Sequence, residues 1–159
     1  MNSPRVNQSK IIRSTTIFST IVVFFILDRF LKSAAADGLL SSIDVIKNIF
    51  QINFIPNYNI SFSLPLSGAW LKIVLAAVVI GIMVYATAIK THRREPDIYF
   101  WWLMIVGATS NLLDRWRWGY VVDYFDVTFF TVFNVADIMI SIGALGLIWI
   151  NWRALRRQK

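Results

Sequence analysis

Four apolar runs organise the chain: Ile11 to Leu27, Trp70 to Ile89, Ile98 to Leu113 and Phe133 to Trp152. Each is close to the roughly 20 helical residues needed to cross a hydrocarbon layer of about 30 Å. They predict helices over 11–32, 69–90, 97–115 and 133–152. The third run is the shortest and must tilt little or sit where the bilayer thins. Two other stretches have a different texture. Residues 44–66, "DVIKNIFQINFIPNYNISFSLPL", mix β-branched and aromatic residues loosely with polar ones and are interrupted by Pro56 and Pro65. That pattern favours short strands and turns over helix. Residues 119–132, "GYVVDYFDVTFFTV", share the character, so the two segments could pair into one platform. The fold expected is mainly α: four transmembrane helices with a small extracytoplasmic β-sheet platform.

Composition narrows the class. A chain of 159 residues leaves room for one domain, 1–159, and 57% hydrophobic residues with a mean hydropathy of +0.58 exceed the share of a soluble domain. The formal net charge of +7 is distributed unevenly. Arg5, Lys10 and Arg13 precede the first helix; Lys90, Arg93 and Arg94 follow the second; Arg153, Arg156, Arg157 and Lys159 end the chain. In an even-pass topology all three groups share one side, which by the positive-inside rule is cytoplasmic, with both termini. The opposite side carries Lys47 against Asp37 and Asp44, and Arg117 against Asp123 and Asp126. Anionic lipid accounts for the basic flanks, so no nucleic-acid partner is required. The basic start, the apolar run and "SAAAD" at 33–37 imitate a secretory signal. The longer run and the charged "DRFLK" before the alanines favour an uncleaved helix. Tryptophans cluster near the run ends, as interfacial anchors do.

Cysteine is absent, which removes disulfides, thiol nucleophiles and thiolate metal sites. The one histidine, His92, lies in the cytoplasmic loop, so neither a zinc centre nor a serine–histidine mechanism can be assembled at the outer face. No metal and no cofactor is expected, and carboxylate chemistry remains. Asn111, Asp114 and Arg115 stand at i, i+3 and i+4, on one face at the outer end of the third helix. Asn134 and Asp137 stand at i and i+3 at the outer start of the fourth, Asp28 and Lys32 at i and i+4 at the outer end of the first. Asp123 lies on the strand-like segment between the third and fourth helices. The intramembrane carboxylates thus fall at one level.

Ionisable groups at such depth are costly unless paired or useful, and both readings stay open. Asp28 with Lys32 reads as a same-helix ion pair, Asp114 beside Arg115 as a tie between helices, Asn134 as a helix cap, and Asp126 as a solvated loop charge. Asp123 and Asp137 have no basic neighbour within four residues. Two carboxylates brought together at a partly dry site cannot easily both ionise, so one keeps its proton while the other acts as base. That is the aspartic-protease arrangement, and it predicts peptide hydrolysis at the outer membrane surface. A small transporter using intramembrane aspartates for cations and a non-enzymatic scaffold retaining the cluster for helix packing are the rival classes.

These same residues resemble the signature of the lipoprotein signal peptidases (signal peptidase II, aspartic peptidase family A8), over nearly the whole chain. "DRFLK" at 28–32 is similar to the family's D-x-x-x-K, "NYNISF" at 57–62 to its N-x-G-A-A-F, and "GATSNLLDR" at 107–115 to its G-G-x-x-G-N-x-x-D-R. "VVDYFD" and "FNVAD" are similar to its V-V-D-F and F-N-x-A-D blocks. The resemblance implies Asp123 and Asp137 as the catalytic dyad. It implies Asn57, Asn111, Arg115 and Asn134 as substrate-binding residues, with Asp28, Lys32 and Asp114 in support. It further implies a bacterial cytoplasmic (inner) membrane enzyme that removes the signal peptide from diacylglyceryl-modified prolipoproteins, cutting before the lipidated cysteine. The expected partners are that substrate, membrane lipids and the cyclic peptide inhibitor globomycin, with the chain working as a monomer. Asn59 and Ser110 stand where the family has glycine, which affects pocket shape, and the stretch from Asp123 to Asp137 is short for the family, implying a trimmed lid.

Overall fold

The computed structural model describes residues 8–40, 42–58, 69–88 and 95–157. Four helices and four strands follow one another along them: α1 (Gln8–Ala36), β1 (Ile43–Ile46), β2 (Phe50–Asn57), α2 (Ala69–Ala88), α3 (Glu95–Arg117), β3 (Val121–Val127), β4 (Val132–Phe133) and α4 (Val135–Arg156). Residues 59–66 of the first expected β segment, with Asn59 and Pro65, lie outside the described residues, as do Arg5, Lys90, His92, Arg93, Arg94 and Lys159.

Among the described residues, three helices are long and apolar enough to cross a membrane: Ile11–Ala36, Trp70–Ala88 and Val135–Arg156. The fourth, α3, has 23 residues, about 34 Å of helix. It carries Asn111 within and Asp114, Arg115 and Arg117 at its end, so its composition is more polar than that of the other three. The helices are inverted relative to a water-soluble bundle. Val22, Val23, Ile26, Leu27 and Phe30 of α1 face outward, while its buried stripe is Ile21, Asp28, Lys32 and Ala35. In lipid an apolar exterior costs nothing, and polar side chains must find partners inside. α1 continues through Ala36, so the "SAAA" alanines form its last turn, with Ala34 and Ala35 buried.

The two strand-rich segments pair as their alternation predicts. The sheet is antiparallel in the order β1-β2-β3-β4. In β3, Val121, Val122, Asp123 and Tyr124 are all buried. Successive side chains leave a strand on opposite faces: Val122 and Tyr124 join the core with Ile21, Ala35, Val135 and Met139, while Asp123 takes the other face. Asp126, expected as a solvated loop charge, instead pairs within β3 opposite Gln51 and Val132 and is half-buried, because the strand continues to Val127.

The chain leaves α3 through Gly119, whose φ of 87° lies in the left-handed region that glycine adopts without a Cβ penalty. This turn brings β3 back beside α3. α3 and α4 approach closely through glycines. A Cβ on Gly107 would meet the Ala136 carbonyl oxygen at 2.6 Å, and one on Gly143 would overlap Met104 Cγ. The close crossing sets Asn111 on α3 against the first turn of α4.

Candidate active site

Three elements bring Asp123 and Asp137 together. Asp123 lies on β3 opposite Ile55 of β2, so Asn57, two residues along β2, projects from the same face. Asn57 Nδ2 donates to Asp123 Oδ2 at 2.9 Å. The other oxygen, Oδ1, accepts from Asn134 Nδ2 at 2.6 Å. Asp137 lies one turn into α4. Its backbone N–H donates to Asn134 Oδ1 at 2.9 Å, and its Oδ2 accepts from the Asn134 backbone N–H at 3.2 Å. Asn134 and Asp137 therefore form a reciprocal capping box at the start of α4. Asn134 touches both aspartates, so the residue that starts the helix also fixes the relation between the two carboxylates.

Asn111 of α3 completes the bracket. Its Nδ2 donates to Asp137 Oδ1 at 2.8 Å, while its Oδ1 accepts from Lys32 Nζ at 2.7 Å. The lysine charge thus reaches Asp137 through a polarised carboxamide. Asp123 is almost wholly buried at 1% exposure, while Asp137 is half-buried. Burial pushes the Asp123 carboxyl up to about 6; the hydrogen bond from Asn57 works against this, the Asp137 charge adds to it, and Asn134 and Lys32 oppose it. A carboxyl in that range holds a proton at mildly acidic pH, unlike an ordinary aspartate. Arg115, half-buried at the end of α3, is electrostatically coupled to Asp123, Asp137 and Asp114.

Behind the pair lies a second group of buried charges. Lys32 Nζ reaches Asp28 at 3.0 Å and Asp114 at 2.7 Å, so with Asn111 all three of its protons have acceptors. Arg29 pairs with the other Asp114 oxygen and also donates to the Ser110 carbonyl at 3.2 Å. Asp114 Oδ2 accepts from the Val122 N–H at 3.3 Å. Two anions and two cations balance, and hydrogen bonds occupy the remaining lone pairs, the condition under which buried ions are tolerable. Asp28 with Lys32 is the same-helix pair expected. Asp114 ties α3 to α1 through Arg29 and Lys32, across 82 to 85 positions of sequence.

The structure brings all nine residues singled out by sequence to one end of the fold. It adds Arg29, Ser110 and Tyr124, which sequence reading had not placed there. Arg29 sits inside the quoted "DRFLK" but one position off the i, i+4 pair. Tyr124 reads as an ordinary core aromatic next to Asp123. Ser110, marked only as a departure from glycine, donates to Asp28 Oδ2 at 2.6 Å. Among the described residues no three His, Cys, Asp or Glu side chains converge as ligands for a metal ion.

A family model described as signal peptidase (SPase) II matches residues 20–153. The lipoprotein signal peptidase of Caldanaerobacter subterraneus subsp. tengcongensis is 39% identical over 79% of this chain and 88% of its own length. That of Halothermothrix orenii is 33% identical over 86% and 95%. A solved bacterial membrane enzyme, determined by the in meso method at 2.3 Å, superposes with a TM-score of 0.79 at 21% identity, covering 91% of this chain and 92% of its own, which is a likeness of fold. The family match spans α1 to α4 and every residue of the bracket around Asp123 and Asp137: this chain belongs to the signal peptidase II family.

Proposed function

We propose that this chain is a membrane aspartic endopeptidase of one domain, 1–159, that removes signal peptides from diacylglyceryl-modified prolipoproteins, cutting before the lipidated cysteine. The observation that carries the reading is the bracket of amides: Asn57, Asn134 and Asn111 hold Asp123 and Asp137 in a partly dry site, and Asn134 bonds to both. Family membership supports the substrate class.

Asp123 and Asp137 are the catalytic pair. The ionised carboxylate takes a proton from water as the water oxygen attacks the scissile carbonyl carbon, and the protonated carboxyl gives its proton to the carbonyl oxygen. The gem-diol so formed collapses. The amide nitrogen takes the proton held by the first carboxylate, the C–N bond breaks, and a hydroxyl proton returns to the second. No covalent intermediate forms, and the titration belongs to the pair. The raised value of Asp123 supports a pair in which one carboxyl keeps its proton while the other acts as base. Asn57, Asn111, Asn134 and Arg115 bind and orient the substrate, while Asp28, Lys32 and Asp114 support them.

α3 completes a four-crossing topology. In a bacterial inner membrane the basic flanks support cytoplasmic termini by the positive-inside rule, with the paired aspartates near the opposite face. There the lipid-bearing substrate enters sideways from the bilayer, and globomycin-like cyclic peptides compete for the same groove. The turn between β3 and β4 forms the lid, and one chain suffices.

The test is cleavage of a purified diacylglyceryl-modified prolipoprotein by the wild type, Asp123→Asn and Asp137→Asn, each checked for folding by melting in detergent. Cleavage by the wild type and a loss of at least about hundredfold in both folded variants is the expected result. Equal cleavage by the variants refutes the pair. A folded wild type that cuts nothing refutes the peptidase reading and restores the scaffold reading.

A further inference from the structure

Tyr124 follows Asp123 on β3, and its side chain leaves the opposite face of the strand. Its hydroxyl crosses the core to the start of α4. There it accepts from the Val135 backbone N–H at 3.0 Å and donates to Asp28 Oδ1 at 3.0 Å. The same Asp28 oxygen accepts from the next backbone amide of α4, Ala136 N–H, at 3.1 Å. The first N–H groups of a helix have no partner within it. Here three consecutive amides are each satisfied from a different side: Val135 by Tyr124, Ala136 by Asp28, and Asp137 by Asn134.

We propose that Tyr124 is a positioning residue, and that its hydroxyl, with Asp28, locks the first turn of α4 to β3 and thereby sets the separation of Asp137 from Asp123. This rests on the reading of those two aspartates as the catalytic pair. The lock is stiff for three reasons. Tyr124 and Asp28 are both fully buried, with no exposed surface. The other Asp28 oxygen is held by Ser110 Oγ at 2.6 Å and Lys32 Nζ at 3.0 Å, so the carboxylate cannot rotate without breaking four bonds. And Tyr124 is joined to Asp123 by a single peptide unit, so β3 carries one carboxylate and the anchor of the other. Burial, then the neighbouring Asp28 charge, push the Tyr124 phenol well above its ordinary range, so the hydroxyl remains a donor at every working pH. Ser110, where the family pattern has glycine, becomes part of this assembly: its hydroxyl steadies the anchor of the lock from the α3 side.

Removing the hydroxyl keeps the ring in the core but leaves the Val135 N–H without its partner and Asp28 with one donor fewer. A misplacement approaching 1 Å at a catalytic group costs on the order of 100-fold. For Tyr124→Phe the expected result is a fall in kcat of about 10- to 100-fold with KM within about twofold of the wild type, because the substrate groove is untouched. Amide hydrogen exchange at residues 135–137 accelerates in the same variant, while exchange in the middle of α4 stays unchanged. Ser110→Ala, which loosens Asp28 without exposing an α4 amide, gives a smaller fall in kcat and leaves exchange at Val135 slow.

Both readouts use the full-length protein in detergent with a diacylglyceryl-modified prolipoprotein as substrate. A Tyr124→Phe protein with kcat within twofold of the wild type, or with exchange at 135–137 unaltered, overturns the proposal. So does a kcat loss that merely tracks a loss of folded protein on melting. Failure of the catalytic reading is distinguishable, since it shows as a wild type that does not cleave or an Asp137→Asn variant that does. In that event the kinetic half of the proposal falls with it, and exchange at Val135 alone decides whether the lock exists.

Discussion

Gly107→Ala should injure catalysis out of proportion to the size of a methyl group. The new Cβ would lie 2.6 Å from the Ala136 carbonyl oxygen, 3.0 Å from Ile140 Cγ1 and 3.1 Å from Met139 Cβ, whereas ordinary contact begins at 3.4 Å. The two side chains can yield; the carbonyl cannot yield alone, because it belongs to the peptide unit that joins Ala136 to Asp137. Relief therefore requires about 0.8 Å of movement of the α4 backbone away from α3, close to the displacement that costs on the order of 100-fold in rate. The same movement would lengthen the 2.8 Å bond that Asn111 of α3 donates to Asp137 of α4 to about 3.6 Å, beyond hydrogen bonding. Overpacking of this kind costs about 1–3 kcal/mol of stability. The assay is single-turnover cleavage of a diacylglyceryl-modified prolipoprotein in detergent, with thermal melting of the same samples. A rate reduced by about 10- to 100-fold, with a lowered but cooperative transition, is expected. Gly81→Ala is the matched control, a helical glycine on α2 with nothing within 4 Å of the added Cβ, and it should cut at the wild-type rate. If Gly107→Ala cuts as fast as Gly81→Ala, Asp137 is not held by the α3–α4 contact and the reasoning fails, whatever happens to the melting temperature.

Four further outcomes follow from the site. If Asp123 and Asp137 work as a pair that shares one proton, kcat/KM should decline as pH rises through about 6, where Asp123 ionises, and a profile flat from pH 5 to 8 would count against the shared proton. The linked effect on stability has the same sign: the folded carboxyl is raised from 3.8 to about 6, so its contribution is fully present below about 3.8 and is lost as pH rises through about 6. Melting of Asp123→Asn should lack that slope. The Asn57 hydrogen bond favours the ionised form, so Asn57→Ala should move the declining limb to higher pH, and a limb moved to lower pH would contradict the assignment. Lys32→Met leaves Asp28 and Asp114 with Arg29 as the remaining cation of the group, and should destabilise by about 3–5 kcal/mol, read as loss of the cooperative transition in detergent; a wild-type transition would show that the charges are not buried as described.

What the sequence disclosed, and what it withheld, divides by the range of the interaction. Hydropathy located the helices because lipid makes the same demand on every outward residue, and β-branched alternation located β2 and β3 because pairing makes the same demand on every other one. Helical spacing found Asp28 with Lys32 and Asn134 with Asp137, whose partners lie one turn away. It could not find the reach of Arg29 to Asp114 or of Tyr124 to Asp28, which span 85 and 96 positions and exist once two helices and a strand have packed. The same limit explains the misreading of Asp126, whose strand is stabilised by pairing partners distant in sequence. Asn134 shows why the structural and the functional reading of a polar residue need not compete. As an N-cap it must accept from the Asp137 N–H, which leaves its amide nitrogen to donate, and the nearest of the acceptors it meets, at 2.6 Å, is Asp123, ahead of Asn111 Oδ1 and the Val122 carbonyl at 3.3 Å. Capping fixes which way the carboxamide points, and that orientation is what allows one side chain to serve both aspartates. Asn134→Asp would keep a good cap but replace the donor with a third carboxylate oxygen facing Asp123. Helix α4 should then melt much as in the wild type while cleavage is lost, whereas parallel losses of cap and activity would mean that Asn134 acts through the fold alone.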